Sequence, residues 1–111
     1  MTGDEIRIVN EKDNGKEVEA KVGDVIRIEL ESLGSAGYKW FIDNVDAKYL
    51  ELISEKTGAT GDKDKIGSPV ISIWRFRLLQ NGLTEIKMSH YRVWEGKEKA
   101  SDSFHIKLNI H

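Results

Sequence analysis

The sequence predicts an all-β protein: an immunoglobulin-like β-sandwich of seven to eight antiparallel strands, folded as one domain over residues 1–111. Three observations point there. Apolar residues recur at every second position along most of the chain, which is the period of strands with one buried face. Turn-forming residues interrupt these runs at short intervals. No segment carries a convincing helical period, and many short strands without helices make a sandwich.

The strands can be placed in order. Ile6 and Ile8 flank Arg7, and Val18, Ala20 and Val22 alternate with Glu17, Glu19 and Lys21. Ile26, Ile28 and Leu30 alternate with Arg27, Glu29 and Glu31. Tyr38, Trp40 and Ile42 share one parity, and Trp74, Phe76 and Leu78 share another with Arg75 and Arg77 between them. Ile86 and Met88 follow, and Phe104, Ile106, Leu108 and Ile110 close the chain. Each run has an apolar face and a solvated one, as antiparallel sheets with one wet side require. Ile28, Trp40, Phe76, Met88 and Ile106 are the expected core. Asp46 to Glu55 fits either a helical turn or a short strand through Leu50, Leu52 and Ile53. Asn14-Gly15, Val22-Gly23-Asp24, Gly34, Gly37, Asn81-Gly82 and Gly96 supply the turns. Of these, Asn81-Gly82 is the strongest hairpin signal. Thr57 to Ser68 (TGATGDKDKIGS) reads as a long mobile loop between strands, of the kind that is functional or disordered.

Composition excludes several functions. Seventeen basic residues against 19 acidic give a net charge of −2. That balance lacks the basic field a nucleic-acid binder needs or a polybasic membrane surface. There are no cysteines, so disulfide scaffolds, thiolate metal sites and cysteine nucleophiles are out. No apolar run approaches the ~20 residues of a membrane-spanning helix. Thr2-Gly3-Asp4-Glu5 is polar and acidic, so the chain as given shows no signal peptide. A cytoplasmic protein and a trimmed secreted or lysosomal one both fit.

Enzyme and metal signatures fail on inspection. Gly34-Ser35-Ala36-Gly37 is not a G-x-S-x-G nucleophile elbow. Asp62, Asp64 and Gly67 echo the start of an EF-hand, but Ile66 and Ile73 stand where oxygen ligands are required. His90, His105 and His111 lack any ligand spacing and read as strand-surface or chain-end histidines. No metal or cofactor is expected.

Three segments near strand ends carry the recognition chemistry. Leu33-Gly34-Ser35-Ala36-Gly37-Tyr38-Lys39-Trp40 sets small residues before an aromatic strand, with Gly37 suited to a positive φ. Gly67-Ser68-Pro69-Val70 leads into a strand through the only proline, a residue confined to edges and strand starts. Tyr91-Arg92-Val93-Trp94-Glu95-Gly96 ends a strand in an aromatic–Arg–aromatic cluster, the residue types that dominate binding hot spots. Trp94 could equally cover the end of the core. The strand count places connections at 33–37, 56–69 and 94–100, and alternate connections of a sandwich gather at one end.

In these motifs the chain resembles the chagasin-like inhibitors of papain-type cysteine peptidases. That family carries an N-P-T-T-G-[YF]-x-W loop, a G-x-G-G loop and an R-P-W loop, in this order. Gly37, Tyr38 and Trp40 match the first, with Ser35 and Ala36 in place of the threonines and Leu33-Gly34 in place of Asn-Pro. Gly67 keeps the first glycine of the second, with Ser68, Pro69 and Val70 departing from it. Arg92 and Trp94 match the third, with Val93 replacing proline. The resemblance implies a monomeric, reversible inhibitor of papain-family peptidases, with no nucleic-acid or membrane partner. It implies that the first loop lies over the catalytic cysteine, the second makes backbone contacts on the non-primed side, and the Arg–Trp loop packs on the primed side. The alternative from the residues themselves is an immunoglobulin-like protein- or carbohydrate-binding module with Trp94 as a stacking platform.

Overall fold

The computed structural model describes residues 6–32, 37–59 and 70–111. Eight strands run through them: β1 (Ile6–Val9), β2 (Glu17–Ala20), β3 (Val25–Ser32), β4 (Lys39–Asn44), β5 (Leu50–Ala59), β6 (Val70–Leu78), β7 (Gly82–Tyr91) and β8 (Asp102–Ile110). They form two four-stranded sheets, ordered β1-β3-β6-β5 and β2-β8-β7-β4. Helical structure among the described residues is limited to short 3-10 turns at Glu11–Asp13 and Lys97–Lys99. The architecture is the sandwich that the period-two pattern predicts.

The core fills the space between the sheets. Ile26, Ile28 and Leu30 of β3 and Phe76 of β6 have no exposure, and neither do Ile86, Met88 and Ile106 of the facing sheet. Trp40 keeps 7%. The alternating runs therefore face inward as their parity demands, and each such side chain contributes about 1.5–3 kcal/mol by leaving water.

Four pairings are antiparallel, as expected. Two are parallel: β1 with β3, and β2 with β8. The path of the chain explains the first of these. It passes from β1 in one sheet to β2 in the other and back to β3, so β1 and β3 are separated by two reversals and run the same way.

The first strand also turns its face. Ile6 and Ile8 are 59% and 57% exposed, while Val9 is buried. Register explains it: Val9 lies beside the inward Ile28, and Ile8 beside the outward Arg27. Arg7 shares Val9's parity, and its Nη1 donates to the carbonyl O of Glu19 at 3.3 Å, bridging the two sheet edges. Val22 likewise leaves the core pattern, standing 47% exposed in the turn after β2.

Asn81-Gly82 does not close a hairpin. It carries the chain from β6 in one sheet to β7 in the other. A two-residue type I′ turn needs positive φ at both positions, and only Gly82 has it, at 139°. The Tyr49 ring covers this glycine so closely that a Cβ there would stand 2.8 Å from Cε1. The hairpin neighbours are instead β5 with β6 and β7 with β8.

Both readings of Asp46–Glu55 are partly right. One turn closes with the Leu50 N–H donating to the carbonyl O of Asp46 at 3.0 Å, and β5 starts at Leu50. A register shift between Leu52 and Ser54 absorbs the extra apolar residue Ile53. Strand β5 then continues through Thr57, which pairs with Ser72. The expected loop over 57–68 thus starts later than its glycines suggest, and the rest of it lies outside the described residues.

Candidate functional site

Strand ends fix where the candidate segments leave the sandwich. Ser32 at the end of β3 pairs with Val70 at the start of β6. Ala59 at the end of β5 pairs with the same Val70. In the other sheet, Lys39 at the start of β4 pairs with Tyr91 at the end of β7. The two sheets meet here through Ser32, whose hydroxyl donates to the carbonyl O of Tyr38 at 3.1 Å. The connections after β3, β5 and β7 therefore all depart from one end.

Of the expected site residues, Gly37, Tyr38, Val70, Arg92, Val93 and Trp94 are described. Leu33, Gly34, Ser35, Ala36, Gly67, Ser68 and Pro69 lie outside the described residues. Gly37 has a φ of +80°, the positive value its sequence context calls for. The turn after β7 is closed by the N–H groups of Glu95 and Gly96, which donate to the carbonyl O of Arg92 at 3.0 and 3.1 Å. That turn projects Val93 and Trp94, which are 70% and 68% exposed. Trp94 does not cover the core. Its indole rests against Gly37, where a Cβ would stand 3.1 Å from Cζ2 and 3.2 Å from Cζ3. A cavity of about 280 Å³, lined by Gly37, Lys39, Phe41, Val93 and Trp94, opens beside this contact.

Behind the exposed tip lies an aromatic column. The Arg92 guanidinium carbon sits 4.5 Å from the centre of the Tyr38 ring, a cation–π contact worth about 0.5–1 kcal/mol at a partly exposed site. Tyr38 stacks on His90 with centroids 5.2 Å apart, and His90 lies 4.9 Å from Trp40. The Trp40 Nε1–H donates to the carbonyl O of Glu31 at 3.0 Å. Arg92 also faces Glu95, with Nε 3.7 Å from Oε1. On the opposite face of β4, Phe41 stacks on Tyr91 at 4.5 Å.

The structure thus brings Gly37 together with Trp94, and Tyr38 together with Arg92. Val70 lines a cleft of about 600 Å³ together with Ser32, Tyr38 and Trp74. His90, expected at the strand surface, is half-buried, with the rings of Tyr38 and Trp40 packed against it. The signal was its parity with Ile86 and Met88, which points it inward. His105 and His111 do lie at the strand surface and chain end, near Glu85 and Glu19.

Among the described residues no catalytic arrangement emerges. Ser32 Oγ is 2.7 Å from His90 Nε2, the spacing of a nucleophile and its base. However, Ser32 is 8% exposed, and His90 Nδ1 faces Ser101 Oγ at 2.8 Å rather than an orienting carboxylate. Among the described residues no group of side chains is arranged to hold a metal ion.

An exposed Val–Trp tip braced on a glycine thus stands at one end of the sandwich. The chain belongs to the chagasin family of peptidase inhibitors, I42, whose family model matches residues 19–108. It is accordingly an inhibitor and not an enzyme. Among solved structures it is similar to a cysteine protease inhibitor from Entamoeba histolytica, at 25% identity, TM-score 0.88 and 98% coverage of both chains. Amebosin shares 21% identity at TM-score 0.75, covering 95% of this chain and 97% of its own. PbICP-C, solved in complex with falcipain-2, shares the fold at 14% identity and TM-score 0.67, covering 100% of this chain and 93% of its own. No curated protein matches the sequence.

Proposed function

We propose that this protein inhibits papain-type cysteine peptidases by wedging one end of its sandwich into the active-site cleft. The observation that carries this reading is Trp94, exposed over most of its surface yet seated on Gly37. A side chain so placed is pre-organised for a partner and loses little freedom on docking, which is how a modest interface binds tightly. The Entamoeba histolytica relative, a cysteine protease inhibitor, supports the target class, and the falcipain-2 complex supports its papain-type subclass.

In this reading Leu33, Gly34, Ser35, Ala36, Gly37 and Tyr38 pass over the catalytic cysteine, where small side chains avoid the walls of a narrow cleft. Gly67, Ser68, Pro69 and Val70 run along the non-primed side. Arg92, Val93 and Trp94 anchor the primed side. The block is steric and reversible, needs no metal and leaves the inhibitor chain intact.

Titrating papain with the protein tests it. Stoichiometric inhibition, unaffected by EDTA and reversible on dilution, is the expected result. Absence of inhibition, or cleavage within residues 33–37 accompanying it, would overturn the proposal.

A further inference from the structure

Resting on the inhibitor reading above, we propose that His90 is the positioning residue of the binding edge: its neutral ring locks Tyr38, and through Tyr38 the Arg92 turn, so that acid loosens the wedge and weakens inhibition. The geometry carries this. His90 lies on β7 two residues before Arg92, with Tyr38 stacked on it and Trp40 tilted against it. Both of its ring nitrogens are engaged, Nε2 with Ser32 Oγ at 2.7 Å and Nδ1 with Ser101 Oγ at 2.8 Å. One side chain thereby touches the end of β3, the start of β4 and the approach to β8.

The hydrogen-bond directions favour one neutral tautomer. Ser32 spends its hydroxyl proton on the carbonyl O of Tyr38, so its oxygen accepts the Nε2–H of His90. Nδ1 then accepts from the Ser101 hydroxyl. A second proton must enter at Nδ1. It turns the Ser101 hydroxyl away, toward the carbonyl O of His90 at 3.3 Å. It also places a second cation against the Tyr38 ring that already faces Arg92.

The charged groups around the ring set the sign. Asp102 lies opposite His90 across the β7–β8 pair and favours the charged form. Arg92 opposes it, and Glu95 is engaged with Arg92. Ser32, Tyr38, Trp40 and Ser101 bring no charge, and neither does the sequence between Ser32 and Gly37. Burial outweighs Asp102 and holds His90 below the ordinary histidine value of 6.5. The folded form therefore prefers the neutral ring. Its advantage is complete above the ordinary value and is lost as pH falls through the lowered one. By linkage, a bound peptidase that needs the ordered edge lowers the proton affinity of His90 further.

The test is the inhibition constant against papain from pH 7.5 to 4.5, for the wild type and for His90→Gln. Glutamine can still donate to Ser32 and accept from Ser101, but it does not titrate. His90→Gln is expected to bind more weakly than wild type at pH 7.5. The wild type is then expected to lose about five- to tenfold affinity on acidification relative to the variant, a typical coupling. Any pH dependence of papain itself is common to both. Parallel profiles overturn the inference while leaving the inhibitor reading intact. Absence of inhibition by the wild type at pH 7.5 overturns the inhibitor reading instead. Should His90→Gln not fold, the wild type is followed by NMR. Side-chain signals of Tyr38 and Arg92 must then move with the midpoint of the His90 ring, and signals that stay still overturn the inference.

Discussion

Trp94 and Gly37 occupy each other's space: the indole lies where a side chain at position 37 would have to be. The backbone adds a second constraint, because the φ of +80° at Gly37 is one that side-chain-bearing residues rarely adopt. Positions 37 and 94 are therefore shaped by one contact, and neither can change alone.

Gly37→Ala tests that contact. The methyl group would displace the indole and strain the backbone by about 1–3 kcal/mol. Inhibition of papain should weaken at least ~30-fold, about 2 kcal/mol. In the double variant with Trp94→Ala the two effects should not add, with a coupling of about 0.5–3 kcal/mol. Strict additivity of the two inhibition constants would show that the contact has no role in binding.

Trp94→Ala separates recognition from folding. Trp94 is 68% exposed, so its removal should leave the melting temperature nearly unchanged. Inhibition should fall by roughly 2 kcal/mol or more, as hot-spot truncations do. A core tryptophan behaves oppositely, costing about 3–5 kcal/mol of stability. Calorimetry and inhibition kinetics on the one variant decide the matter: a large thermal loss with unchanged inhibition would remove Trp94 from the binding edge.

The two faces of the first sheet give a stability contrast. Ile28 is fully buried, and Ile8 is 57% exposed beside Arg27. Ile28→Ala should cost about 2–5 kcal/mol, whereas Ile8→Ala should stay within ~0.5 kcal/mol. Urea unfolding of both variants measures this. Comparable losses would mean that β1 presents Ile8 inward.

These residues also show what the sequence could reveal. The parity of Ile26, Ile28 and Leu30, and of Phe104, Ile106 and Leu108, needs only local alternation, and it correctly assigned the buried faces. Ile6 and Ile8 face outward against their apolar parity, because Val9 stands on the other parity of β1 and only pairing with β3 chooses between them. Asn81-Gly82 reads as a hairpin in the sequence, but a turn signal cannot say whether the next strand joins the same sheet or, as here, the opposite one. At the candidate site, Gly37, Tyr38, Arg92 and Trp94 stood out by residue type and order. For His90 only the inward parity with Ile86 and Met88 is legible; its contacts with Tyr38, Ser32 and Ser101 are not, because those residues are remote in sequence.

Glu85 and His105 supply a pH-dependent contact away from the Gly37–Trp94 end. They sit on neighbouring strands, His105 Nε2 lying 3.1 Å from Glu85 Oε1. That hydrogen bond, assisted by Lys87 and Lys107, holds the Glu85 carboxyl below its ordinary value of 4.5. A depressed carboxyl favours the fold at pH above its ordinary value and loses that effect as pH falls through the lowered one. The pair is exposed, so water screens it and its contribution to stability is small. The direct readout is an NMR titration of the Glu85 side chain, expected to show a midpoint below 4.5. His105→Asn should move that midpoint upward without altering inhibition at neutral pH, since the contact lies partway along the strands and not at the Gly37–Trp94 end. A wild-type midpoint at or above the ordinary value, or one indifferent to His105→Asn, would show that the hydrogen bond does not persist in solution.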